Sequence, residues 1–225
     1  AVVRDEPLAP TDWLVLLTAS DYPLRPLADF ERHLAACGAD ALLEAPEPGP
    51  ALDAVTARYR RRSVRPPAWL VDGRRRARLV AAAARRLPGV LWCPQPHGIP
   101  PTLEVRRLRT PFGPDLALHK GCDLFALDGR ARERLLAAPP RLLRYFDRTA
   151  VPSEAYPHTV LRNDPAVVVR PEMLHFGEWV GSPHPRHLGV EDLPAMLGSG
   201  RWFARKFRPE DPVLDRLDAL LDGAG

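Results

Sequence analysis

Short apolar stretches of strand length alternate with amphipathic helical stretches along this chain, and that alternation predicts an α/β fold. Residues 12–18 (Asp-Trp-Leu-Val-Leu-Leu-Thr) form a continuous apolar run, the pattern of a strand buried on both faces of a parallel sheet. After Pro26 the apolar residues Leu27, Phe30 and Leu34 recur at helical spacing until Gly38 stops them. With 225 residues, 45% of them hydrophobic, the chain is long enough for one domain with a substantial core and is not a disordered polypeptide.

In order along the chain, residues 19–25 make a polar turn at the carboxyl end of the first strand, where open α/β sheets place ligands. Residues 39–44 read as a short strand and 45–50 as a Pro-rich loop. A helix is expected over 74–87, closed by Pro88-Gly89, and a brief strand over 89–93. Four prolines between Cys93 and Pro101 exclude helix and central strand there. Strands are expected over 103–109, 116–118 and 122–127. Asp128 caps a helix of about ten residues, and 139–147 is another. Ser153 is placed to cap a further helix, with Glu154 in its first turn. Short strands follow over 167–170 and 173–176, and short helices over 189–198 and from Asp211-Pro212 onward. No internal repeat or interior linker interrupts this order, so the organisation expected is a single domain over 1–225.

Composition excludes several classes. No apolar run reaches the length of a membrane span, and the first residues lack signal-peptide character. Three cysteines, Cys37, Cys93 and Cys122, without metal-ligand spacing, suit a reducing cytoplasm. The net charge of +4 conceals a block between Arg58 and Arg86 with 11 arginines and one acid, Asp72. That block is a solvated helix face or a peripheral contact for an anionic membrane surface; without a nucleic-acid motif beside it, nucleic acid is not an expected partner. Phosphate-binding Gly-rich loops, H-E-x-x-H, C-x-x-C, G-x-S-x-G and D-x-D are all absent, and no metal site is expected.

Chemistry concentrates in residues 151–207. Of 32 basic residues only Lys120 and Lys206 are lysine, which marks two places where a compact ammonium is used instead of a planar guanidinium. Glu154, at a helix start, is a carboxylate favoured in its ionised form by the helix dipole, as a general base requires. One base and nearby cations suit the departure of an anionic leaving group.

Ser20-Asp-Tyr-Pro-Leu-Arg25 resembles the S-G-Q-D-Y-P-L segment of the core-2/I-branching β-1,6-N-acetylglucosaminyltransferase family, which includes the peptide O-xylosyltransferases. His119-Lys-Gly-Cys-Asp-Leu-Phe-Ala-Leu127 resembles its K-G-S-x-W-W-x-L strand. Residues 146–161, with Glu154 and Thr159-Val-Leu161, are similar to its P-D-E-x-x-x-x-T-L-L helix start. Glu178-Trp179 with Ser182-Pro-His-Pro-Arg186, then Glu191-Asp192, then Phe203-Ala-Arg-Lys-Phe207, resemble its D-W, S-P-H-P-R/K, E-D-L and F-A-R-K-F runs. The matches follow family order over nearly the whole chain.

The resemblance, to a bacterial-type member, implies a GT-A-like mixed, mostly parallel sheet flanked by helices, starting after the family's first strand–helix region. It implies an inverting, metal-independent transferase that moves N-acetylglucosamine or xylose from a UDP-sugar to a hydroxyl of a glycan or other acceptor. Glu154 falls on the family's base, and Lys206 with Arg186 on the cations that neutralise the leaving UDP. Asp21 is expected near the donor or acceptor sugar, and Trp179, Glu178 and Lys120 near the substrate; no cofactor is expected. The alternative reading is a non-catalytic remnant that binds a glycan or a partner.

Overall fold

Twenty-seven prolines cut the chain into short elements, and the computed structural model follows those cuts: its strands are two to five residues long. The structure describes residues 8–94, 101–179 and 184–222. Residues 1–7, most of the Pro-rich 93–101 segment and Ser182 lie outside the described residues. In chain order the strands are β1 Trp13–Val15, β2 Asp21–Pro23, β3 Ala41–Leu43, β4 Arg61–Val64, β5 Val90–Cys93, β6 Thr102–Arg106, β7 Ala126–Asp128, β8 Val169–Pro171, β9 His175–Phe176 and β10 Phe203–Arg205. The helices are α1 Leu27–Ala36, α2 Pro50–Thr56, α3 Ala68–Val71, α4 Arg74–Arg86, α5 Gly129–Ala137, α6 Pro140–Phe146, α7 Tyr156–Arg162, α8 Leu193–Gly198 and α9 Pro212–Asp222.

The chain groups into two compact units. The first comprises Ala1–Ala45, Gly121–Leu136 and Asp164–Gly225, the second Pro46–Lys120 and Ala137–Asn163.

The first unit holds two sheets, ordered β1-β7-β3-β8 and β2-β10-β9. Only β3 with β8 and β10 with β9 pair in parallel; every other pairing among the described strands is antiparallel. The architecture is α/β, but the mostly parallel sheet expected from the sequence does not form. The apolar run at 12–18 misled for a physical reason: β1 keeps three of its residues, half-buried at a sheet edge and antiparallel to β7. An apolar run signals burial and not the direction of the neighbouring strand. Phe30 and Leu34 of α1 turn their helical face onto Leu42, Ala126, Leu174, Trp202 and Phe203. A second cluster joins Leu24, Leu188, Met196, Ala204 and Phe207 to Val213 and Leu217 of α9. Burying each Leu, Phe, Met or Val side chain among these contributes about 1.5–3 kcal/mol. Asp128 caps α5 as expected, its Oδ1 accepting the Ala131 N–H at 2.7 Å. Gly129 follows it because a Cβ there would lie 2.2 Å from the Ala9 carbonyl oxygen.

The second unit holds the antiparallel sheet β4-β6-β5. Its core is aromatic: Phe146 packs against Tyr59, Phe112, Tyr145 and Tyr156 with ring centroids 5.7–6.3 Å apart. Ser153 caps nothing, contrary to expectation. Pro152–Glu154 form a 3-10 turn without a side-chain cap bond, and α7 starts only at Tyr156 with Pro157 in its first turn, where a missing N–H costs nothing.

Candidate functional site

Glu154 ends the 3-10 turn ahead of α7 and lies in a cluster built wholly within the second unit. A second 3-10 turn, Ala57–Arg60, supplies Arg58 and Tyr59. The Arg58 guanidinium and the Tyr59 hydroxyl (3.3 Å) both donate to Glu154 Oε2. The Lys120 ammonium is 3.5 Å from the same oxygen. Among the described residues no hydrogen bond is accepted by Oε1. The carboxylate thus has one oxygen held and the other unengaged, with its side chain 27% exposed.

Arg58 also donates to the Tyr59 hydroxyl at 3.0 Å, with its guanidinium 5.1 Å above the ring. Burial pushes the Tyr59 phenol up to about 12; Arg58 opposes that shift and Glu154 adds to it. The hydroxyl therefore stays protonated and remains a donor at neutral pH. Burial works against the Arg58 cation, but Tyr59, Glu154 and Glu104 outweigh it and raise the guanidinium pKa.

Lys120 is held indirectly. The Thr159 hydroxyl donates to the His119 carbonyl and accepts its N–H, both at 3.1 Å. Asn163 accepts the Ala117 N–H at 2.9 Å and donates to its carbonyl at 2.8 Å. Residues 116–118 are therefore not the strand expected: an amide side chain takes the place of a neighbouring backbone, and only an isolated Gly113–Leu116 bridge forms. Burial, with Arg162 second, lowers the His119 pKa.

The remaining expected residues lie in the first unit. Asp21 is turned inward, its side chain 1% exposed. It accepts from the Thr18 N–H at 2.7 Å and hydroxyl at 2.8 Å, with His175 3.4 Å and Arg205 3.5 Å away. Burial would raise its carboxyl, but His175 and the two Thr18 donors overcome that and hold it below the usual range. It serves the turn between β1 and β2. Arg186 is engaged by two carboxylates, Glu178 through Nε (2.7 Å) and Asp192 through Nη1 (2.8 Å) and Nη2 (2.5 Å). Asp192 first, then Glu178, raise its pKa further above its ordinary value. A diphosphate would have to compete with both acids. Lys206 is half-buried, and among the described residues no carboxylate pairs with its ammonium.

Trp179 is 46% exposed and borders a cavity of about 440 Å³ in this unit with Glu44, Glu172, His175, Phe176, Gly177 and Arg201. Its ring lies on Gly177, where a Cβ would stand 2.9 Å from two ring carbons. An indole face flanked by acids and an arginine can hold a sugar-sized polar ligand.

The structure thus brings Glu154 and Lys120 together, and Glu178 and Arg186 together. Sequence reasoning missed Arg58 and Tyr59, whose signal was submerged in the arginine block. It also missed Glu44, a lone acid before a Pro-rich stretch. Among the described residues no group of three His, Cys, Asp or Glu side chains could hold a metal ion.

Comparison with known proteins finds similarity to glycosyltransferases, while no family model matches. The chain is 42% identical over 92 residues to Beta-glucuronosyltransferase GlcAT14A of Arabidopsis thaliana, a match covering 39% of this chain and 20% of that protein. It is 39% identical over 88 residues to Beta-glucuronosyltransferase GlcAT14B of the same plant, covering 37% and 20%. With Beta-glucuronosyltransferase GlcAT14C it shares 26% identity over 230 aligned residues, covering 94% of this chain and 50% of the relative. The chain therefore spans half or less of the length of the curated relatives it matches.

Proposed function

We propose that the chain transfers a sugar from a UDP-sugar to a hydroxyl acceptor, with inversion and without a metal ion. The observation that carries this reading is Glu154, a carboxylate with one oxygen fixed by Arg58 and Tyr59 and the other unengaged. In this reading Glu154 takes the acceptor hydroxyl's proton as that oxygen attacks the anomeric carbon. The bond from that carbon to the diphosphate oxygen breaks, and UDP leaves carrying the negative charge. Lys206 and Arg186 are the side chains assigned to that charge, as the resemblance to the core-2/I-branching family implies. Glucuronic acid, the sugar in the relatives' names, is the donor sugar we place first. N-acetylglucosamine and xylose, which the resemblance to the core-2/I-branching family implies, come after it.

A panel of the three UDP-sugars, with product configuration read by NMR, tests the class. Glu154→Gln is expected to reduce transfer by about 10²–10⁴-fold while UDP affinity stays near wild type, and chelators are expected to leave the rate unchanged. Parental activity in Glu154→Gln would remove the base from this scheme. The exposed Trp179 beside a sugar-sized cavity favours a second reading, glycan or partner binding without catalysis. Calorimetry with UDP separates the two: a purely glycan-binding chain gives no saturable heat.

A further inference from the structure

The helix α4 carries six arginines and no acid, and its two faces differ sharply. Ala77, Val80, Ala81 and Ala84 are its less exposed positions, and α4 packs on β5. On the opposite side Arg75, Leu79, Ala82 and Arg86 follow one another at spacings of four, three and four residues, flanked by Arg78 and Arg85, and all six are exposed. Leu79 is 71% exposed in the middle of that line. The neighbouring α3 leaves Trp69 68% exposed, and α4 is tied to it by Arg76, whose guanidinium donates to the Trp69 carbonyl at 2.9 Å. Among the described residues none of the α4 arginines is paired with a carboxylate.

We propose that this face of α3 and α4 docks on an anionic lipid surface. Unpaired guanidinium groups offer forked donors to lipid phosphates. An exposed Leu at the centre of the cationic face has no counterpart on a nucleic-acid phosphate backbone, but it gains by entering the layer just below lipid headgroups. An exposed Trp belongs at the same depth. The whole block between Arg58 and Arg86, 11 arginines against one acid, adds long-range attraction to the same target.

Co-sedimentation of the full chain with vesicles of phosphatidylcholine plus phosphatidylglycerol tests this against phosphatidylcholine alone. Binding is expected only to the anionic vesicles, weakening as salt is raised. Replacing Arg75, Arg78, Arg85 and Arg86 together by Gln is expected to weaken it at least about tenfold; these side chains face solvent, and circular dichroism checks that the fold survives. Leu79→Gln is expected to weaken it severalfold, and Trp69→Phe to remove the blue shift of fluorescence on vesicle addition. Failure to sediment with anionic vesicles, equal sedimentation with phosphatidylcholine alone, or undiminished binding by the four-arginine variant would each overturn the proposal. Binding to duplex DNA without binding to vesicles would overturn it in favour of nucleic acid.

Discussion

Arg186 shows how a residue can stand out in a sequence while its partners stay unreadable. The sequence marks it as a cation in a Pro-bounded turn; in the fold it donates to Asp192, six residues on, and to Glu178, eight residues back. Residue spacing did not announce this, because the 3-10 turn Val190–Asp192 is what aims the second acid. Removing the guanidinium leaves Asp192, 8% exposed at its side chain, without its counter-charge. Arg186→Ala is therefore expected to lower the midpoint of urea unfolding. Arg186 first, with burial opposing and the Gly189 N–H assisting, lowers the Asp192 carboxyl from its ordinary 3.8. A lowered folded-state pKa gives stability that is present above the unfolded value and lost as pH falls through the folded one. Wild type should thus lose stability on acidification below about pH 4, a component that Arg186→Ala should lack.

At the scale of elements, the helices were the more legible. α1 and α4 carry their apolar or small residues at helical spacing, and Asp128 announces α5. Strands were less so, since three residues hold too little pattern to fix a partner. The segment beside α7 makes the point: residues 116–118 read as a strand, yet their backbone bonds to the Asn163 side chain. That amide donates to two carbonyls, of Ala117 and Thr159, while its oxygen takes the Ala117 N–H. β4 escaped notice because its alternation, Arg61-Arg-Ser-Val64, is written in arginine stems and not in apolar residues. Asn163→Ala strips both backbone groups of Ala117 of their partner. An expected loss of about 1–3 kcal/mol in urea unfolding, with faster hydrogen exchange at the Ala117 amide, tests the clamp. Unchanged exchange there would show that the segment is held by something else.

Over the whole molecule, α/β character was readable from the alternation of elements, but the number of sheets and the pairing within them were not. Both depend on which short strands meet across long stretches of sequence, as when β3 pairs with β8 from more than a hundred residues away. The Glu154 cluster was legible where a residue stood out, Glu154 as an acid shortly ahead of a helix and Lys120 as one of only two lysines. It was illegible where the partner belonged to a crowd, as Arg58 does among its neighbours.

That scarcity of lysine gives the molecule two built-in reporters. Reductive methylation with ¹³C-formaldehyde can mark only two side-chain amines, Lys120 in one unit and Lys206 in the other. Two dimethylamine resonances are expected from them. The signal that moves in Glu154→Gln identifies Lys120, 3.5 Å from that carboxylate, and leaves the Lys206 signal to test whether UDP reaches that side chain.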